Sequence, residues 1–281
     1  RAQANTSGIV VTGVSTFSAD STINSITVGK GANSVSGNTV LGEGALDASV
    51  TGTNNTAIGK DALTALTTGT SNTAVGQNAL AANTTGATNT AVGRLSLDAN
   101  TTGDANCAFG HDALGGNTTA DNNSAFGRSS LTNNTTGSDN TAVGQSALFT
   151  ATTASNNTAV GSNALKFTTT GADNTAVGRS ALASNTTASF STAVGRSALA
   201  ANTTGEYNTA VGRNSLLSST TASYNTVVGA NAADALTTGA QNTVVGYNAF
   251  TSATTAAYSV ALGYRSLLNI TTANYNTAVG Y

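Results

Sequence analysis

Residues 72–88 read NTAVGQNALAANTTGAT, and at Asn89 the string starts again as NTAVG. Outward from there the motif glycine recurs at Gly42, Gly59, Gly76, Gly93, Gly110, Gly127, Gly144, Gly161, Gly178, Gly195, Gly212, Gly229, Gly246, Gly263 and Gly280. Gly42 to Gly280 is fourteen steps of 17 residues without insertion or deletion, so residues 38–281 hold fifteen copies, the last incomplete. With the Asn of NTAVG as position 1, the consensus is N-T-A-V-G-x-x-A-L-x-x-N-T-T-G-x-x. Position 5 is always Gly, and position 14 is Thr in every complete copy, beginning with Thr51, Thr68, Thr85, Thr102, Thr119 and Thr136. Position 9 is Leu except at Ala233 and Phe250, and position 4 is Val, Ile, Leu or Phe throughout.

A fixed period means that each repeat meets its neighbours in one geometry, as in a solenoid. Helical solenoids need repeats of about 33 to 47 residues, and Thr, Asn and Gly are poor helix formers. The repeat instead predicts an all-β fold, a parallel β-solenoid or β-roll of 17-residue coils with short strands and tight turns. The chain has no Pro, so every residue keeps an N–H for the ladder between coils. Stacked coils put like residues in register, so Asn and Thr ladders are expected along the axis, with Thr at position 14 hydrogen-bonding up the stack. Position 5 is expected to need a positive φ or to leave no room for a Cβ. Position 15, which alternates between Gly and Ala (Ala120, Ala154, Ala188, Ala222), makes no such demand.

Composition removes several function classes. One Cys excludes a disulfide framework. No run of about 18 apolar residues occurs, which excludes a membrane-spanning helix. A net charge of −2 leaves no basic field for nucleic acid. Charged residues are 8% of the chain, against about 25% in typical soluble proteins, which argues against charge-driven disorder.

Each coil carries few bulky apolar side chains, mainly at positions 4 and 9, so a lone stack looks under-supported. Strand neighbours point to opposite faces. If Val at position 4 and Leu at position 9 line the interior, the Ala columns at positions 3 and 8 face outward. Such a small-residue face predicts a partner: a second and third copy of the chain, in a parallel homotrimer.

The string NTAVGxxAL…NTTG resembles the head repeats of trimeric autotransporter adhesins of the YadA type, and its spacing is closer still to repeat tracts of bacteriophage tail-fibre proteins. That resemblance covers residues 38–281 and implies a left-handed β-roll in a homotrimeric fibre. It implies an extracellular place, on a virion tail fibre or a bacterial surface. The lead-in Gly8–Ser18, GIVVTGVSTFS, resembles connecting segments of marine phage fibres. The repeats do not include the anchor, stalk or chaperone parts of such proteins, so nothing about anchoring is implied.

Residues 1–25 read as a non-repeat lead-in and 26–37 as a degenerate first coil or cap, since Gly29 precedes Gly42 by 13 residues rather than 17. The chain starts without Met and stops inside a motif, which reads as a processed chain or a segment of a longer one. All seven Tyr lie at positions 6 or 17, among them Tyr207, Tyr224, Tyr247, Tyr258, Tyr264 and Tyr275. These are the candidate binding residues for a cell-surface glycan or protein, the alternative being that the rings stack on one another. The reactive residues Asp98, Asp104, Cys107, His111, Asp112 and Asp121 cluster in sequence but include one Cys and one His, too few for a zinc site. No cofactor, metal or catalytic residue is expected, and an enzyme is the least expected reading. The N-T-T sequons read as repeat consensus. The leading function is a rigid fibre shaft for host or surface attachment. The alternative is an adhesin that binds along its side, and a remote third is an ice-binding solenoid. Adjacent Thr at positions 13 and 14 do not make the paired array an ice-binding face needs.

Overall fold

A computed structural model describes the backbone of residues 2–5, 8–11 and 20–281; the rest of the lead-in, including most of Gly8–Ser18, lies outside the described residues. Two strands of the lead-in, β1 (Ala2–Asn5) and β2 (Gly8–Val11), pair antiparallel. A second hairpin, β3 (Ser21–Ile23) and β4 (Ile26–Gly29), turns through Asn24 and Ser25 at positive φ. Strand β4 lies antiparallel on β5 (Thr39–Gly42), so this hairpin folds back over the first coil. The Asp20 carboxylate fastens it, accepting from the backbone N–H groups of Lys30 (2.7 Å) and Gly31 (2.6 Å).

From β5 onward the fold is the all-β parallel solenoid that the period predicts. Each coil contributes one three-residue strand, from β6 (Thr56–Ile58) to β19 (Thr277–Val279). Every strand pairs in parallel with those before and after it, like residue on like residue, as in Thr73↔Thr90, Ala74↔Ala91 and Val75↔Val92. Coil-to-coil bonds continue beyond the strands: Thr73 N–H donates to Asn89 O, Gly76 N–H to Ile58 O and Leu80 N–H to Ser96 O, at 2.8 to 3.0 Å.

The faces differ from the sequence expectation. Ala at position 3 is the inward residue of the strand, fully buried at Ala74, Ala91, Ala108 and Ala142, and the position 4 side chain faces out. Neighbouring positions 8 and 9 are both buried, as at Ala79 and Leu80. The reason for the joint burial of positions 8 and 9 is conformational. Leu at position 9 stands at a left-handed φ near +50° in coil after coil (Leu80, Leu114, Leu148, Leu182, Leu199), and strand alternation does not survive that kink. The left-handed region costs a non-Gly residue about 1–2 kcal/mol, while burying Leu is worth about 1.5–3 kcal/mol, so burial prevails. Positions 7 and 17 are also left-handed in nearly every coil; Asn and Asp, which tolerate it, and the small Ser fill most of them.

Position 5 combines both constraints. Gly161 has φ +134°, and a Cβ there would meet Gly178 O and C at 2.6 Å. Column 15 lacks the φ constraint. A Cβ on Gly171 would press on Ala188 O, yet Ala154 and Ala188 occupy the same column, so the backbone there yields where it has an ordinary φ.

Candidate functional site

Two Asn columns brace the interior. At position 1, Asn72 Nδ2 donates to Gly86 O at 2.8 Å, and its Oδ1 accepts from Asn89 N–H at 2.9 Å. At position 12, Asn100 Nδ2 donates to Asn83 Oδ1 and to Gly103 O, both at 3.0 Å. Asn83, Asn100, Asn117, Asn134, Asn185 and Asn202, the sequon residues, are buried in this column, so their amide nitrogens face inward in the folded coil.

The Thr columns divide differently from expectation. The hydroxyl that bonds up the stack belongs to position 13: Thr84 Oγ1 donates to Thr101 O at 3.1 Å and Thr101 Oγ1 to Thr118 O at 3.0 Å. At position 14, Thr68, Thr85, Thr102, Thr119 and Thr136 are exposed, and their backbone N–H groups make the ladder contact. Thr51 alone of the six named there donates its hydroxyl to the next coil, to Thr67 O at 3.3 Å. Adjacent residues point to opposite sides, so one Thr column per pair reaches the neighbouring carbonyls.

The outward face of the sheet is the surface on which side chains are free to act. Its middle holds position 2, mostly half-buried Thr, and the apolar column at position 4, where Leu41, Phe109, Phe126, Val143, Val228 and Val245 are exposed. One edge is the turn at positions 16 and 17, the other the turn at position 6.

The seven Tyr and Phe190 lie on these two edges, while Phe109 and Phe126 stack on each other at 5.1 Å within column 4. Phe190, Tyr207 and Tyr224 stack at 5.0 and 5.1 Å between ring centroids, and Tyr258 stacks on Tyr275 at 5.0 Å. On the other edge Tyr247, Tyr264 and Tyr281 stack at 5.7 and 5.2 Å. The Tyr candidates are exposed as residues, yet Tyr207 and Tyr264 are each stacked between two neighbouring rings. A sugar that packs on a ring face finds one only at the end of a stack. Five aromatics at position 17 hold φ between 55° and 61°, a region bulky residues avoid. The cost is of order 1 kcal/mol or more each, comparable to the roughly 0.5–1.5 kcal/mol of an aromatic pair.

Columns 6 and 16–17 differ in charge, although the residue after column 6 is acidic at Asp61 and Asp112. Position 6 carries Lys60, Arg94, Arg128, Arg179, Arg196 and Arg213, with His111 among them and one acid, Glu43. Positions 16 and 17 carry Asp104, Asp121, Asp139, Asp173 and Glu206, and no Lys or Arg. Among the described residues the single ion pair is Lys60–Glu43 at 3.2 Å, within column 6.

The fold divides the sequence cluster around Cys107 among separate columns, with Asp104 beside Asp121 and Asp98 near Asp112. Cys107 sits in a strand, and burial pushes its thiol pKa up, the opposite of a nucleophile. His111 Nε2 lies 2.9 Å from Arg94 Nη1. Asp104 Oδ1 accepts from Ala87 N–H and Asp121 Oδ1 from Asp104 N–H, both at 2.7 Å, so these acids brace turns. Among the described residues no group of three His, Cys, Asp or Glu is placed to hold a metal ion. No protein-family model matches this chain, and no curated protein is significantly similar to it.

Proposed function

We propose that this protein is a rigid spacer, the shaft of an extracellular attachment fibre of the phage tail-fibre kind, built from three parallel copies. The observation that carries this reading is the position 4 column. It sets a large apolar side chain on the outward face once per coil, from Leu41 to Val279. Apolar surface of that extent on a soluble rod is the mark of an association face. In a parallel trimer the three columns meet along the axis and support stacks whose own interiors hold mainly Ala, Leu and Asn. Stiffness follows from the ladders, because bending the rod strains hydrogen bonds in every coil on one side.

The test is negative-stain imaging combined with mass measurement. The expected particle has three chains and a repeat region roughly 67 Å long, fourteen strand spacings at about 4.8 Å. Sedimentation as a folded monomer would overturn the trimer.

A further inference from the structure

Because position 4 is apolar in every coil, the column is apolar at every height and in both directions. That column alone cannot tell a parallel neighbour from an antiparallel one. The edges can. The acid and the cation of one coil flank a single strand: Asp121 with Arg128, Asp173 with Arg179, Glu206 with Arg213. They stand six or seven residue steps apart, on the order of 20 Å along extended chain. That is beyond the screening length of about 8 Å at physiological salt, so they cannot neutralise each other within one chain. Arg179, Arg196 and Arg213 also lie in successive coils, where like charges repel.

We propose that the two edges of the outward face are complementary halves of a seam between neighbouring parallel copies. The column 6 cations of one copy meet the acids at positions 16 and 17 of the next. This rests on the parallel-oligomer reading and specifies its contacts. Around a cyclic axis parallel to the rod, the contact is heterologous, so each copy offers one edge to one neighbour and the opposite edge to the other. Acid then meets cation at the same height or one coil away: with a one-coil offset, Asp139 reaches the level of Arg128 and Glu206 that of Arg196. Face-to-face antiparallel docking would instead set the cation edge on the cation edge and the acid edge on the acid edge. The C-terminal coils keep the complementarity by other means. There both edges become aromatic together, Tyr258 with Tyr264 and Tyr275 with Tyr281.

The experiment uses the full chain with three charge variants: Arg179→Glu, Arg196→Glu and Arg213→Glu together; Asp139→Lys, Asp173→Lys and Glu206→Lys together; and all six. Native mass and the trimer dissociation constant are read at low and high salt. Each half-reversal is expected to weaken association about tenfold or more at low salt and little at about 1 M salt. The six-fold variant is expected to recover most of that loss. Trimers whose dissociation ignores both half-reversals, or whose losses simply add in the six-fold variant, would overturn the seam and leave the trimer standing. A wild-type chain that is a folded monomer would remove the reading beneath it.

Discussion

At the scale of the single residue, the repeat is held by a few positions that accept no alternative. Gly178 has φ +134° and backs onto Gly195. Gly178→Ala is expected to destabilise by about 3 kcal/mol, from a strained backbone and an overpacked corner together. Gly171→Ala, in a column that already holds Ala, should cost a small fraction of that, and paired thermal melts check the contrast. The invariance of column 5 was legible before any coordinates; the inward turn of Ala at position 3 was not. The string Ala-Val does not say which of the two points inward, and the joint burial of positions 8 and 9 depends on a left-handed Leu that no propensity scale announces. Asp98 gives a pH prediction. Desolvation by burial raises its carboxyl pKa, opposed by a backbone hydrogen bond and aided by the nearby charge of Asp112. A raised folded-state pKa means the ionised form costs stability at neutral pH, and the cost fades as pH falls through that pKa. Asp98→Asn should therefore melt higher than wild type at pH 7, with the difference gone near pH 3, below the ordinary carboxylate value of about 4.

At the scale of the element, the working unit is the column. The strand, only three residues long, is stable because its partners above and below are copies of itself. The position 12 column shows what a break costs: Asn134 Oδ1 is buried without a partner because the next coil carries Ala151 where Asn would donate. Ala151→Asn should restore the bond and raise stability by about 1 kcal/mol, read as a shift in thermal midpoint. Removing a member that has partners works the other way. Asn174→Ala strips Ser191 N–H of its acceptor at 3.0 Å and Ala188 O of a donor at 2.9 Å. It should cost about 1–3 kcal/mol, and Asn174→Ser should cost less, since Ser191 Oγ already accepts from Asn208 N–H in that column. Asn and Thr ladders were readable from the period, but which Thr reaches the next carbonyl was not. Adjacent Thr look equivalent in a string and are separated by which way the strand is turned.

At the scale of the whole molecule, charge and apolarity are laid out across the rod rather than along it, and composition hides this. A net charge of −2 says nothing of an edge with six cations facing away from an edge with five acids, because the two lie only six or seven residues apart in every copy. Their separation emerges when the coil is closed and positions become columns. The proposed trimer makes one further prediction. Val143→Asp and Val177→Asp together place two carboxylates in the outward column, where both Val are exposed in the single chain. They should abolish association in native mass measurements while leaving the circular-dichroism signature of the solenoid intact; full trimers would count against an apolar seam at that column. The uniform handover from coil to coil also makes length a counted quantity. A deletion of 17 residues removes one rung and leaves every remaining side chain in phase, whereas a deletion of 16 rotates all that follows and turns its insulation to the water. Such a gene can lengthen or shorten its product by recombination between copies, in whole increments, without inventing a new surface.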